Sequence, residues 1–367
     1  ICHSPFQSLL SGLHGIITLP ALFIVVLLSL VLIPGTQESA KLNGLIVVLK
    51  VAIVVLFIAI GWHFMKPINH TPYIPPNAGE QALLHGHKGF WDFFTQDFGK
   101  YGWSGIISAA GVVFFAFIGF DAVSTAAQEA KNPKKDMPIG ILVSLVICTI
   151  LYVLFGHVLT GVANYKEFAT TGMGREASVA YAIQHHMPGY HWLSMAVTVA
   201  ILLGFSSVIL VMLLGQSRVF YSMSKDGLIW PVFSKIHPKF KTPYKSNLIF
   251  LVFVGAFAAF IPEDVVGNMT SIGTLFAFVL VCIGIIVMRK SDPDAPRPFK
   301  TPWVPFVPAL GAIVCVLMML GLGKDNWLRL IIWMIIGFVI YFTYSKKHSL
   351  IRKGVVYLPK DPPAPEL

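Results

Sequence analysis

The chain has 367 residues, of which 56% are hydrophobic and only 12% charged, and its mean hydropathy is +0.74. Soluble domains carry about 25% charged residues, so this composition excludes an ordinary water-exposed enzyme, and it excludes disorder, which needs low hydrophobicity and high net charge. A polytopic membrane protein remains, whose formal charge of +10 has to be read from where the basic residues lie.

A helix needs about 20 mostly apolar residues to cross roughly 30 Å of hydrocarbon at about 1.5 Å per residue. Residues 1–13 fit no span and are an unassigned remnant. Nine apolar stretches follow: His14–Ile33, Leu42–Phe64, Gly105–Phe120, Ile139–Ala163, Trp192–Gly215, Asn247–Ile261, Val265–Met288, Pro305–Leu322 and Leu328–Tyr344. They lack the period-2 alternation of barrel strands, so the expected fold class is all-α with nine transmembrane helices. The chain opens on Ile1 without a secretory signal, and its N-terminus reads as incomplete.

The second stretch carries a conspicuous charge, Lys50, in NGLIVVLKVAIVVLF (43–57). An ammonium at the bilayer centre costs about 2.5–3.5 kcal/mol on insertion scales. It must be compensated there, or it must snorkel to an interface on its four-carbon stem, a stretch from a depth of roughly 12 Å. Burial disfavours a charged amine, so Lys50 is a candidate to load and release a proton.

The loop over 66–103 holds HTPYIPP (70–76) and the aromatic run FWDFF (90–94), which read as interfacial aromatics. His63, His70, His85, His87, His185, His186 and His191 lie on or near the same side. With no carboxylate or thiol partner evident, they read as solvated or interfacial, and no metal site is expected. Asn69-His-Thr71 and Asn268-Met-Thr270 fit the weak glycosylation pattern.

The third stretch reads GVVFFAFIGFDAVSTAAQEAKNP (111–133). Gly119, set among bulky residues, suits a break that would offer backbone groups to a ligand, as in the discontinuous helices of transporters. Glycine is also frequent in intact membrane helices. Asp121 reads equally as a hydrated helix end or a gate. In the fifth stretch, Ser206-Ser207 within GFSSVILVMLLGQ (204–216) suits either helix-packing glue or an ion or proton site.

Basic residues settle an orientation. Of the 27 Lys and Arg, 19 lie in the tail or in connections after the first, third, fifth and seventh stretches, 7 in the opposite loops, and Lys50 in a span. Basic loops mark the cytoplasmic side, so the expected topology is multi-pass with a cytoplasmic C-terminus, in a cell (plasma or inner) membrane. The net charge then needs no nucleic-acid partner. No GxGxxG, P-loop, HExxH or GxSxG is present, and Cys2, Cys148, Cys282 and Cys315 form no paired spacing. No catalytic set, cofactor or ATP-hydrolysing domain is expected.

Four ordered blocks carry a resemblance. FFAFIGFDAVSTAAQEAKNPKKDMPIGI (114–141), ESAKLN (38–43), GQSRVFYSMSKDGLIWPVFSKIHPKFKTP (215–243) and PRPFKTPWVPFVPALG (296–311) resemble the amino acid–polyamine–organocation (APC) superfamily of permeases, in the bacterial branch related to cationic amino acid transporters. The resemblance implies a 5+5 inverted-repeat, LeuT-like fold in which the nine stretches correspond to helices four to twelve, with helices one to three absent. Residues 14–65 would close the first repeat, 66–103 form an extracellular loop, 104–289 the second repeat, 290–345 two accessory helices, and 346–367 a cytoplasmic tail. It further implies that an amino acid is held by backbone groups at Phe115, Ala116, Phe117, Ile118 and Gly119, with Phe115 as a lid. Lys50 matches the proton-coupling lysine, and Ser206 and Ser207 lie where its eighth-helix contacts belong. The expected function is secondary active, proton-coupled amino acid uptake by alternating access. An exchanger, or a transport-dead nutrient sensor or interaction subunit, is the alternative.

Overall fold

A segment in hydrocarbon must pair its own backbone N–H and C=O groups, and the chain answers with helices. The computed structural model describes residues 19–32, 37–74, 102–119, 132–170, 177–237, 242–260, 263–294, 297, 299–350 and 352–354. Among them there is no strand. In chain order the helices are α1 (Leu19–Leu32), α2 (Gln37–His63), α3 (Gly102–Val113), α4 (Pro133–Val162), the short α5 (Tyr165–Thr170) and α6 (Ser178–His186), α7 (His191–Lys225), α8 (Tyr244–Phe260), α9 (Glu263–Ser291), α10 (Phe306–Gly321) and α11 (Lys324–Ile340).

Five described stretches are long and apolar enough to cross a membrane: Asn43–His63, Lys135–Val162, His191–Lys225, Val266–Ser291 and Lys324–His348. Gly105–Phe117, Tyr244–Phe260 and Phe306–Gly321 are shorter apolar helices. Among the described residues the fold is all-helical, and several of its helices are able to cross a membrane.

Three elements go beyond the sequence expectation. The helix expected to end near Gly215 runs on to Lys225 as a 35-residue rod, about 52 Å long against roughly 30 Å of hydrocarbon. Apolarity marks the bilayer, whereas a helix ends where its backbone is capped. Here the cap is a Schellman turn: Gly227, at φ 74, donates to Ser224 O at 3.2 Å and Leu228 donates to Met223 O at 2.9 Å. The connection between the fourth and fifth apolar stretches contains α5 and α6. The last span ends in a π turn over Tyr341–Ser345 and one further turn, Lys346–His348.

α2 and α7 run antiparallel. Ser207 pairs with Asn43 near one end, and the rings of Phe64 and Tyr190 lie 5.6 Å apart at the other. Between them Phe57, Val158, Val162, Ile183, Leu193 and Val197 form a buried core shared by α2, α4, α6 and α7. A second core joins Ile272, Leu275 and Val279 of α9 to Met319 of α10, to Leu322 just past its end and to Leu330 of α11, with Phe114 packed against it. Leu28 and Leu213, with Val254 beside them, tie α1 and α8 to α7. Small residues let the backbones approach, as expected where lipid removes the hydrophobic drive for helix association. A Cβ at Gly111 would stand 2.8 Å from Met318 O, and one at Gly61 2.6 Å from Val158 Cγ1.

Candidate functional site

α3 loses its regular hydrogen bonding at Val113, tightens to a 3-10 turn over Phe114–Phe117, becomes extended at Ile118 (φ −67, ψ 132) and reaches Gly119 at φ 139. That φ is rarely open to an L side chain, and glycine meets it without a Cβ penalty. The break frees backbone groups, and neighbouring helices support it. Tyr152 of α4 donates its hydroxyl to Ala116 O at 2.9 Å and sets its ring edge-on to Phe117 at 5.1 Å. Phe114 meets Phe278 of α9 edge-on at 5.7 Å. Phe115, between these two anchored rings, is 53% exposed.

Both lines of predicted site residues lean on α7. A Cβ on Gly119 would lie 3.6 Å from Met212 Cε, and one on Gly204 would lie 3.6 Å from Lys50 Cδ. Eight residues separate these two positions on α7, roughly 12 Å along its axis. Lys50 is half-buried on α2 and lays its aliphatic stem over the bare backbone of Gly204. One turn further along α7, Ser207 is buried and donates to Oδ1 of Asn43. Asn43 stands seven residues before Lys50, on the same face of α2. Ser206 turns away and donates to Leu202 O at 2.9 Å within its own helix. The structure therefore brings Lys50, Gly204, Ser207 and Asn43 together at one crossing, with no described contact between Lys50 and either serine hydroxyl.

Asn43, Tyr152 and Gly204 were not singled out from the sequence. A signal existed for Asn43, whose i, i+7 spacing to Lys50 places both on one helical face. Gly204 also lies three residues from Ser207, one turn along α7.

At the other end of α2, one histidine reading changes. His186 Nε2 donates to Glu167 Oε2 at 2.8 Å, so it does have a carboxylate partner, which α5 supplies. His185 stacks on Tyr181 at 4.2 Å, and His70 stacks on His157 at 4.6 Å. Asn69, the first residue of one glycosylation pattern, turns its amide nitrogen to Gly161 O at 2.8 Å and Val162 O at 3.3 Å, capping α4. Among the described residues, no group of three or more His, Cys, Asp or Glu side chains could hold a metal ion. Residues 1–13, Phe120, Asp121, His85, His87, the 90–94 aromatic run and the tail beyond Gly354 lie outside the described residues.

The sequence matches the family described as "Amino acid permease" over residues 7–341. It is 40% identical to a branched-chain amino acid permease of Bacillus subtilis over 342 residues, covering 93% of this chain and 67% of that protein. It is 35% identical to a methylthioribose transporter of the same organism over 366 residues, covering 95% and 72%. A vacuolar cationic amino acid transporter of Arabidopsis thaliana is 24% identical over 460 residues, covering 94% and 72%.

Proposed function

Because the chain belongs to the amino acid permease family, whose members are transporters and not enzymes, we propose that it is a secondary active amino acid permease, coupled to protons and working by alternating access. The observation that carries the proposal is the break at Ile118–Gly119. It is set against the same helix on which Lys50 rests.

In this reading the apolar helices are helices four to twelve of a LeuT-like 5+5 fold. α3 with its 3-10 end is the sixth of that series and α7 the eighth. An amino acid is a zwitterion, and bare backbone carbonyls and amides suit its ammonium and carboxylate, as at other discontinuous membrane helices. The backbone of Phe115, Ala116, Phe117, Ile118 and Gly119 supplies one wall of the site, and Phe115, with its ring half exposed, closes over the side chain. Lys50 carries the coupling proton. Ser207, through Asn43, sets the distance between α2 and α7, and Ser206 lines the same stretch of α7. Rocking of one helix group against the other then moves the ends of α7 and opens the site to either side. The membrane is a cell membrane and the C-terminus is cytoplasmic, in line with the positive-inside distribution.

Two relatives name the substrate classes to try first. The branched-chain permease is the more similar of the two, and the methylthioribose transporter favours a second reading in which the cargo is a thio-sugar. The test is uptake of labelled branched-chain amino acids, cationic amino acids and methylthioribose by the full-length protein in proteoliposomes, with and without an inward proton gradient. Gradient-driven amino acid accumulation is expected. Uptake that requires internal substrate and ignores the gradient would show an exchanger, and uptake of none of them would sink the proposal.

A further inference from the structure

The end of the last span is strapped to the end of α7. Ser345 is buried and donates to Leu228 O at 2.6 Å. Leu350 N–H donates to Asp226 O at 3.1 Å. The rings of Trp230 and Tyr344 lie 5.6 Å apart, and Tyr344 stacks on His348 at 4.2 Å. Ser224, in the last turn of α7, donates to Trp230 O at 2.8 Å and so holds the facing loop. Gly227 makes the closest approach, since a Cβ there would overlap the carbonyl oxygen of His348.

On this strap basic charge outnumbers acidic. Lys346, Lys347, Arg352 and Lys353 are all exposed, and no Asp or Glu occurs between Asn326 and Gly354. Arg352 Nη1 donates to Lys346 O at 3.2 Å, which draws the two basic pairs into one cluster. Lys225, exposed in the last turn of α7, adds a further cation beside it, and Asp226 brings one carboxylate to the junction. Trp230, Tyr341 and Phe342 stand about half exposed around the cluster, the arrangement of aromatic rings at the level of lipid headgroups.

We propose that this strap is a binding site for the phosphate of an anionic phospholipid headgroup, and that a bound lipid fixes the adjoining end of α7. Like charges held together on one backbone unit recruit a counter-anion. Clusters of four or more Lys and Arg just beyond a membrane span attract anionic lipid. Arg352 adds a planar donor fork suited to phosphate oxygens. The site sits where a span ends, so acyl chains fit beside the apolar helix while the phosphate meets the cations. That position, with the aromatic rings around it, selects a lipid over free phosphate. The inference rests on the chain lying in a membrane and not on transport, and its readout is binding.

The experiment measures lipid retention by native mass spectrometry on the full-length protein in micelles doped with phosphatidylglycerol or phosphatidylcholine. Selective retention of phosphatidylglycerol is expected, unaffected by millimolar inorganic phosphate. K346Q/K347Q/R352Q/K353Q should weaken it by at least about tenfold, since each basic residue near an anionic surface contributes. The charge-preserving set K346R/K347R/K353R, which leaves the Arg352 fork in place, should keep it. Gly227→Ala leaves the charge unaltered but displaces the strap, and should also weaken retention. Equal retention of both lipids, retention untouched by the quadruple substitution or by Gly227→Ala, or full displacement by inorganic phosphate would overturn the proposal. The quadruple substitution, at exposed side chains, keeps the test decisive if Gly227→Ala does not fold.

Discussion

Tyr152 donates its phenolic hydrogen to the carbonyl oxygen of Ala116 at 2.9 Å, so α4 props the place where α3 gives up its helical hydrogen bonds. A freed carbonyl in a membrane interior costs several kcal/mol when nothing pairs with it. This bond lets the break persist, and Phe117 packed on the same ring fixes its direction. Tyr152→Phe keeps the ring and removes the donor. A hydrogen bond of this kind has a net worth of about 0.5–1.5 kcal/mol, so kcat/KM for uptake should fall by up to about tenfold while the protein still folds. Unchanged kinetics would separate Tyr152 from the site.

Gly119 holds φ 139, and strained backbone of this kind costs an L residue about 1–3 kcal/mol. Its neighbour Met212 leaves ordinary contact distance for a Cβ, so the expected penalty is conformational rather than steric. Gly119→Ala should reduce uptake more than Ala116→Gly, which adds freedom without strain. Equal effects would place the functional break elsewhere.

Ser207 and Asn43 join α2 to α7, whereas Ser206 spends its hydroxyl inside its own helix. A double-mutant cycle on Asn43→Ala and Ser207→Ala should return a coupling of about 0.6 kcal/mol, with about 1.7 as the upper end for membrane helices. Ser206→Ala should show no coupling to Asn43→Ala. Thermal unfolding in detergent reads both, and additivity of the Asn43 and Ser207 changes would contradict the pairing.

Gly111 faces Met318 O at a distance no Cβ tolerates. Gly111→Val should therefore push α3 off α10 and destabilise the protein by about 1–3 kcal/mol, read as a lower unfolding midpoint. Gly44→Val, where nothing lies within 4 Å of an added Cβ, is the control and should leave the midpoint nearly unchanged.

Much of the architecture was legible because the bilayer imposes a length and a composition on every span. The run 192–215 announced a helix by apolarity alone, but its true end at Lys225 depended on a glycine cap beyond the apolar part. The break after Phe117 was legible only as an option, since Gly119 has the same identity in a broken helix and in an intact one. The deciding factors were the Tyr152 donor and the rings of Phe278 and Tyr152, which come from helices distant in sequence. The pairing of His186 with Glu167 was hidden for a related reason: it required folding the 164–190 connection into α5 and α6. Lys50 stood out as a charge in hydrocarbon, while its bed on Gly204 was invisible, because a glycine leaves no trace of the side chain it makes room for.

The central claim is that Lys50 carries the coupling proton, and the most direct measurement is the pH dependence of amino acid uptake in proteoliposomes for the parent and for Lys50→Ala. The account predicts that the parent accumulates substrate when an inward proton gradient is imposed. Lys50→Ala should lose both accumulation and pH dependence while still exchanging external for internal substrate. Full pH-dependent accumulation by Lys50→Ala would contradict it.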